Sequence, residues 1–271
     1  MSLTIGDAPF GTRPGSFNFT RRGPDRVLYL EDSPRWVRGV FAGTTVVDSK
    51  HAKLLHETGH LPVYYFPRAD VRADVLVETD HHTHCPLKGD ASYWSIGVGD
   101  ATSENAAWTY PAPIDGAPPI EGLVAFYWHK MDHWYEEDEE VFVHPRDPYH
   151  RVDVLDISRH VKVSLDGRVL AETDRPRVLF ETGLPPRFYI PRSDVHIDAL
   201  TPSETTTQCP YKGTATYWSL QGDDDLVWCY EEPIRAASDI AGYLAFFNER
   251  VDLDVDGERV ERPKTRWSPK R

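Results

Sequence analysis

The chain has 271 residues, of which 40% are hydrophobic and 27% are charged, a composition typical of folded globular domains rather than of disordered segments. Its 43 acidic residues outnumber its 30 basic ones, and the resulting net charge of −13 repels phosphate backbones, so we expect no nucleic-acid partner. No apolar run is long enough to span a bilayer, so no membrane partner is expected either.

The cysteine content and the N-terminal sequence bear on the compartment. Three cysteines, Cys85, Cys209 and Cys229, are too few for a disulfide framework, and such sparse usage suits a reducing environment. The first residues lack the basic start and the hydrophobic middle of a signal peptide. We therefore expect a cytoplasmic protein in which residues 1–24 form an N-terminal extension.

An internal repeat dominates the sequence. Residues 57–95 align without a gap with residues 181–219, and 20 of the 39 paired positions are identical. The offset of 124 residues falls to 120 further along, where Trp108 meets Trp228. A proline-rich segment near residue 145 separates the copies. This pattern predicts two tandem domains of one fold, at residues 25–148 and 149–271.

The predicted elements are short strands. Asp166-Gly167 between two alternating runs predicts a hairpin, and Ala42-Gly43 occupies the same place in the first repeat. Aromatic runs at 63–66 and 187–190 predict the next strand, closed by a Pro-Arg-x-Asp turn. A further strand follows it in each repeat.

A Cys-Pro-x-Lys-Gly motif then leads into Ala-x-Tyr-Trp-Ser in both repeats. Proline and glycine predict a tight turn that feeds a strand, with Tyr93 on one face and Trp94 on the other. Residues 114–121 and 234–241 are expected to form single helical turns. Since no longer segment has a helical period, we predict a mainly β protein with antiparallel sheets and short helical turns.

Three sequence blocks resemble a known family. Glu-Thr-Gly-x-x-Pro, Tyr-x-Pro-Arg-x-Asp-Val and Cys-Pro-x-Lys-Gly-x-Ala-x-Tyr-Trp-Ser each occur twice. They closely resemble DUF427, an uncharacterised, largely bacterial family sometimes labelled nucleotidyltransferase-like. The resemblance implies two tandem β-tent-like domains, in which two antiparallel sheets lean together around a small core. Related folds include the drug-binding domain of cereblon, Yippee-type proteins and methionine sulfoxide reductase B.

Several proteins of that fold class hold a structural zinc with paired Cys-x-x-Cys knuckles. This sequence has no such pair and no glycine-rich phosphate cradle. We therefore expect no cofactor, and we derive no mechanism from the nucleotidyltransferase label.

Both repeats retain a set of polar, reactive and aromatic residues, which we take as candidates for a ligand site. The candidates are Glu57, Tyr65, Arg68, Asp70, Cys85, Lys88, Tyr93 and Trp108 in the first repeat, and Glu181, Tyr189, Arg192, Asp194, Cys209, Lys212, Tyr217 and Trp228 in the second. The favoured hypothesis is a small-molecule-binding module with an aromatic cleft between the sheets. A structural alternative assigns the polar members to turn caps and to ion pairs that fix the hairpins.

Two further functions stay open. An enzyme of unassigned reaction could use the cysteine and lysine of the Cys-Pro-x-Lys-Gly motif, because a nearby cation and turn N–H groups stabilise a thiolate. An inert, partly buried thiol is the alternative, and no catalytic residue is assigned. A protein-interaction module would instead present a contiguous apolar surface. The sequence leaves the oligomeric state open.

A histidine cluster precedes Cys85. On a strand, His82 and His84 share a face, and imidazole suits zinc or nickel, so they are weak candidates for a metal site. The second repeat has Thr206 and Gln208 at these positions. Any such site would therefore belong to the first domain alone.

Overall fold

A computed structural model describes residues 3–20 and 23–269 of the chain. The chain divides into two units, Met1–Tyr149 and His150–Arg271, called the first and second domains below. Each domain contains a seven-stranded and a four-stranded antiparallel sheet, which confirms the mainly β prediction and its two sheets per domain. Within the described residues, no helix has both the length and the apolar character that a membrane crossing requires.

The first domain begins its regular structure at Leu28. Its strands are β1 (Leu28–Asp32), β2 (Val37–Phe41), β3 (Thr44–Ser49), β4 (Lys53–Glu57), β5 (Val63–Pro67), β6 (Leu76–Cys85), β7 (Gly89–Val98), β8 (Ala101–Thr109), β9 (Leu123–Phe126), β10 (His133–Glu136) and β11 (Glu139–Glu140), with 3-10 helices at Arg68–Asp70, Ala73–Val75 and Trp128–Lys130. The large sheet has the order β1-β4-β5-β9-β8-β7-β6, and the small sheet has the order β11-β10-β2-β3.

The second domain repeats this order. Its strands are β12 (Val152–Asp156), β13 (Val161–Leu165), β14 (Arg168–Thr173), β15 (Arg177–Glu181), β16 (Arg187–Ile190), β17 (Thr201–Cys209), β18 (Gly213–Leu220), β19 (Asp223–Cys229), β20 (Leu244–Phe246), β21 (Asp252–Val255) and β22 (Glu258–Val260), with 3-10 helices at Arg192–Asp194, Ile197–Ala199 and Arg235–Ile240. The large sheet runs β12-β15-β16-β20-β19-β18-β17, and the small sheet runs β14-β13-β21-β22.

The predicted hairpin turns are present in both domains. Asp166 and Gly167 join β13 to β14 with φ values of 49° and 79°, and Ala42 and Gly43 join β2 to β3 with 46° and 71°. Two consecutive residues with positive φ are the signature of a type I′ turn, whose twist matches that of the flanking strands. The Asp-Gly signal in the sequence therefore identified the turn correctly.

The predicted helical turns are realised in one domain only. Residues Arg235–Ile240 form a 3-10 helix, as expected for 234–241. The equivalent segment 114–121 has turns and bends but no helix, which corrects the prediction. It contains Pro118 and Pro119, whose rings remove backbone donors, and Gly116 adopts a φ of +86°.

The space between the two sheets is filled by side chains. In the first domain, Trp134 of the small sheet stacks on Phe66 of the large sheet with ring centroids 6.0 Å apart, and Phe126 lies 6.1 Å from the same indole. A Cβ on Gly39 would lie 2.7 Å from the Trp134 ring, so only glycine fits there. The prediction of a ligand cleft between the sheets is therefore wrong, because side chains of the core fill that space.

The aromatic candidates lie on the opposite face of the large sheet. Tyr93 belongs to a separate cluster there, whereas Trp94 and Ile96 belong to the core between the sheets, as the alternation of β7 predicts. Glu57 ends β4 and Lys88 follows β6, so these residues lie near opposite ends of the strand order. Because their side chains are nevertheless hydrogen-bonded, the large sheet must curl around this second cluster. We call the side of the large sheet that carries this cluster the curled face.

Candidate functional site

A buried ion pair lies at one end of the curled sheet in the first domain. Lys88, only 6% exposed, donates from Nζ to Glu57 Oε2 at 2.5 Å. The other carboxylate oxygen accepts a 2.5 Å hydrogen bond from Arg26, which also contacts His60. Both oxygens of Glu57 are thereby occupied, and the pair ties the turn after β6 to the end of β4.

The second domain reproduces the pair with a changed third member. Lys212 donates to Glu181, whose other oxygen lies 3.1 Å from Nε2 of His150, the residue that replaces Arg26. Burial alone would raise the pKa of Glu181, but hydrogen bonds and charge from His150 and Lys212 lower it to about 2. Glu181 is therefore ionised at neutral pH.

The Cys-Pro-x-Lys-Gly turn fixes the direction of the lysine. Gly89 adopts a φ of +104°, and a Cβ there would meet the carbonyl oxygen of Ala112 at 3.2 Å. The backbone of Lys88 donates to Cys85 O and accepts from Ile114 N, each at 3.2 Å. The turn is thus held on both sides, and the half-buried Cys85 packs against the aromatic cluster.

Aromatic rings in mutual contact cover the curled face of the first domain. Tyr65 and Tyr93 are buried, whereas Trp108 and Tyr127 are half-buried. The Trp108 and Tyr127 ring centroids lie 4.6 Å apart, Tyr65 meets Trp108 edge-on at 6.3 Å, and Tyr93 stacks on Tyr127 at 6.5 Å. Burial raises the pKa of Tyr65, and burial together with the neighbouring Tyr93 raises that of Tyr127 to about 12. The phenols of Tyr65 and Tyr127 are therefore neutral near pH 7.

A shallow groove of about 450 Å³ lies along β6, β7 and β8 of the same domain. It is lined by Val77, Thr79, His81, Ser95, Gly97, Thr102, Glu104 and Asn105. The His81 ring lies 4.5 Å from that of Tyr93, which connects the groove to the aromatic cluster. Thr79 Oγ1 donates to Asn105 Oδ1 at 2.7 Å, so the groove also presents oriented polar groups.

The same face of the second domain carries a buried charge pair. Trp228 and Phe247 replace Trp108 and Tyr127, with their rings 4.7 Å apart. Arg187, where the first domain has Val63, donates two 2.7 Å hydrogen bonds to Glu249. Its guanidinium lies over the Trp228 and Phe247 rings at 5.6 and 5.9 Å.

The C-terminal segment, residues 262–269, packs on this face of the second domain. Thr265 Oγ1 donates to Glu249 Oε1 at 2.6 Å, and the Trp267 ring lies 6.1 Å from Phe247. The Arg187 guanidinium lies 5.5 Å from the Trp267 ring, so it contacts indoles from both the sheet and the segment. The C-terminal segment therefore covers the aromatic rings on this face of the second domain.

The match to known proteins covers both domains. Residues 29–137 and 153–257 match the family described as a domain of unknown function, DUF427. The chain belongs to the DUF427 family. Each matched segment spans one DUF427 domain with its Cys-Pro-x-Lys-Gly turn, while the C-terminal segment lies beyond the second match. No curated protein matches the chain.

The arginine and aspartate candidates lie away from the curled face in both DUF427 domains. Asp194 accepts hydrogen bonds from Arg175 and from Thr173 Oγ1, the latter at 2.7 Å, and these bonds lower its pKa to about 2. Asp70 likewise accepts from Ser49 Oγ at 2.6 Å. These aspartates brace the 3-10 turn against the small sheet by accepting hydrogen bonds from its side-chain hydroxyls.

Arg68 and Arg192 have stacking partners instead. Each guanidinium lies 5.3 Å from an indole, that of Trp94 for Arg68 and that of Trp218 for Arg192. Arg192 also donates to Glu231. The other candidates of each domain meet on its curled face. They are Glu57, Tyr65, Cys85, Lys88, Tyr93 and Trp108 in the first domain, and Glu181, Tyr189, Cys209, Lys212, Tyr217 and Trp228 in the second.

The weak metal candidates lie on β6, the exposed edge strand of the first domain. His84 Nδ1 lies 2.6 Å from Asp90 Oδ1, and His82 Nδ1 lies 3.3 Å from the carbonyl oxygen of Ala91. Over residues 3–20 and 23–269, no three His, Cys, Asp or Glu side chains converge in a geometry that could hold a metal ion.

Sequence reasoning missed several residues of the two faces. They are Arg26, Tyr127, Arg187, Glu249 and Trp267. Tyr127 follows the same offset of 120 as Trp108 and would have been found by extending the alignment. Arg187 and Glu249 break the repeat, since Val63 and His129 occupy the equivalent positions, and such differences are the signal by which they could have been found.

Proposed function

We propose that the first DUF427 domain is a small-molecule-binding module whose site comprises the Trp108 and Tyr127 rings and the groove that Tyr93 and His81 connect to them. The observation that supports this proposal is a pair of half-buried rings, 4.6 Å apart, which Tyr93 connects to a groove of about 450 Å³. The Tyr93 ring lies 6.5 Å from Tyr127 and 4.5 Å from His81, which lines the groove. Ligand sites commonly have volumes of roughly 300–1,000 Å³ and combine an apolar lining with a few oriented polar groups. Here Thr79, His81 and Asn105 supply the polar groups.

The Lys88–Glu57 pair acts in this proposal as a support for the site. Its ammonium already donates to the carboxylate, and Arg26 occupies the second oxygen. The pair fixes the curl of the sheet and thereby the spacing of the rings. For the same reason we prefer binding to an enzyme that uses Cys85 and Lys88, because the lysine is committed to Glu57.

A fragment screen by ligand-observed NMR on the full chain tests the proposal. We expect fragments whose binding is lost in Tyr127→Ala and retained in Phe247→Ala, the matched change in the second domain. His81→Ala, at an exposed position on the groove, serves as a second variant that leaves the core intact. Thermal unfolding establishes that each variant is folded.

Two results would overturn the proposal. One is a folded wild-type chain that binds no fragment. The other is a set of fragments that bind Tyr127→Ala and His81→Ala as tightly as the wild type, since this would place their site elsewhere.

A further inference from the structure

Trp267 occupies the aromatic face of the second domain as a ligand would. Its indole lies 6.1 Å from Phe247, at an interplanar angle of 38°, and 5.5 Å from the Arg187 guanidinium. Hydrogen bonds from Thr265 to the buried Glu249 and from Arg262 to Asp252 anchor the segment that carries it. This segment lies outside the residues matched to the family, so the indole is an addition to the DUF427 domain.

The equivalent ring in the first domain is Tyr127. Its backbone N–H donates to Ala106 O, and that of Phe247 donates to Leu226 O, 120 residues further on, so the two rings extend from the same point of the sheet. After β11, the first domain's chain instead follows the small sheet, where Val141 N donates to Trp134 O and Arg146 N to Glu136. Trp108 is accordingly half-buried, whereas Trp228 is 7% exposed.

The charges also differ between the two faces. Arg187 and Glu249 hold the C-terminal segment in the second domain, and Val63 and His129 stand in their places in the first. The first domain therefore lacks the carboxylate that Thr265 recognises, and its face does not match the chain's own C-terminal segment. It keeps the pair of rings, with the Lys130 ammonium 5.4 Å from the Tyr127 ring centroid and the His129 ring 5.8 Å from it. Because a cation is already present on this ring and would repel a second one, the face favours a neutral flat molecule.

We infer that the ligand of the first domain is a neutral, flat conjugated ring that stacks on Tyr127 beside Trp108, in the position that Trp267 takes on Phe247. The second domain is a latent site of the same kind, closed by Trp267. This inference rests on the proposed function and adds to it the class of ligand and the reason that only one domain is open. Thr79, His81 and Asn105 are placed to hydrogen-bond polar edges of such a ring.

The test is a calorimetric titration of the full chain with 3-methylindole, a neutral flat ring that mimics the Trp267 side chain. We expect one binding site per wild-type chain. Tyr127→Ala should weaken that binding by about tenfold or more, the scale of one stacking contact together with its burial. Phe247→Ala should leave it unchanged.

Opening the second domain should add a site. Trp267→Ala is expected to raise the stoichiometry from one to two, and adding Phe247→Ala should return it to one. Trp36→Ala removes a tryptophan that stacks on Arg38 and lies outside the aromatic cluster of the first domain, and it should leave the stoichiometry at one. If Trp267→Ala fails to fold, Thr265→Ala, which removes the hydrogen bond to Glu249 and the one that Trp267 N donates to Thr265 Oγ1, should expose a weaker second site.

The outcomes separate the inference from the proposed function. A stoichiometry of one in folded Trp267→Ala and in Thr265→Ala would overturn the latent site. If other fragments bind through Tyr127 but 3-methylindole does not bind, the ligand class is wrong while the binding function stands. If nothing binds the first domain, both are wrong.

Discussion

At the level of single residues, the Lys–Glu pairs show how much depends on one buried contact. Glu181 and Lys212 have side-chain exposures of 7% and 9%, so removing the lysine leaves a carboxylate with little access to water. Losing one partner of a buried ion pair costs about 3–5 kcal/mol, whereas replacing both partners by apolar residues is often neutral.

We therefore expect Lys212→Leu to lower the free energy of unfolding of the second domain by about 3 kcal/mol or more. The double variant Glu181→Leu/Lys212→Leu should be more stable than Lys212→Leu alone. Urea unfolding followed by circular dichroism measures both, with Lys88→Leu as the matched change in the first domain. A double variant less stable than the single one would contradict this account.

The pH dependence of stability follows from the Glu181 carboxylate. Its pKa in the folded chain is about 2, against 4.5 ordinarily, so the folded state binds this proton less readily than the unfolded state. The stabilisation is therefore present above about pH 4.5 and is lost as the pH falls towards 2.

We expect Glu181→Gln to flatten the fall in stability over this window, as measured by urea unfolding at stepped pH. Asp194→Asn provides a comparison, because hydrogen bonds from Arg175 lower the pKa of Asp194 to about 2 as well. Stability profiles for Glu181→Gln and the wild type that run parallel from pH 5 to pH 2 would count against an ionised, paired Glu181.

At the level of elements, the turn after β6 positions the lysine and is sensitive at its glycine. Gly89 has a φ of +104°, and a Cβ there would lie 3.2 Å from Ala112 O, whereas Gly43, at +71°, has no atom within 4 Å of the added carbon. Both positions disfavour alanine, but only Gly89 adds a close contact with backbone.

Gly89→Ala should thus destabilise the first domain by about 2–3 kcal/mol, and Gly43→Ala by about 1 kcal/mol. Thermal unfolding of the two variants against the wild type gives the comparison. Equal losses would indicate that the turn relaxes away from Ala112.

The sequence predicted these elements better than it predicted the faces they bury. The Asp166-Gly167 turn and the alternation of Tyr93 and Trp94 follow from local rules, and both were identified correctly. Alternation separates the two faces of a strand but does not say which face meets the second sheet. We therefore predicted the ligand cleft between the sheets, where Trp134 and Phe66 in fact pack. That choice depends on contacts between distant parts of the chain.

The covering segment could not be predicted for a related reason. Trp267 lies 20 residues beyond Phe247 in a stretch with no counterpart in the first repeat, and no periodic pattern marks its destination. The buried Lys–Glu pairs were anticipated as one structural alternative, because both residues recur at a constant offset. Their third members, Arg26 and His150, differ in type and were overlooked.

On the scale of the whole molecule, the duplication has produced two DUF427 domains of equal topology and different surface chemistry. The shared parts are the sheet order, the turn and the buried ion pair. The differences lie on the curled face, where the second domain carries Arg187, Glu249 and Trp267. The second domain thus packs its own C-terminal segment on a surface where the first domain has the half-buried Trp108 and Tyr127.

A crystal structure of the full chain grown with 3-methylindole would show which of the two aromatic faces takes up a ring. We expect a ring stacked on Tyr127 beside Trp108 in the first domain, with Trp267 still packed on Phe247 in the second. An empty groove with the ring bound elsewhere, or a second domain whose C-terminal segment has left Phe247 exposed, would contradict it.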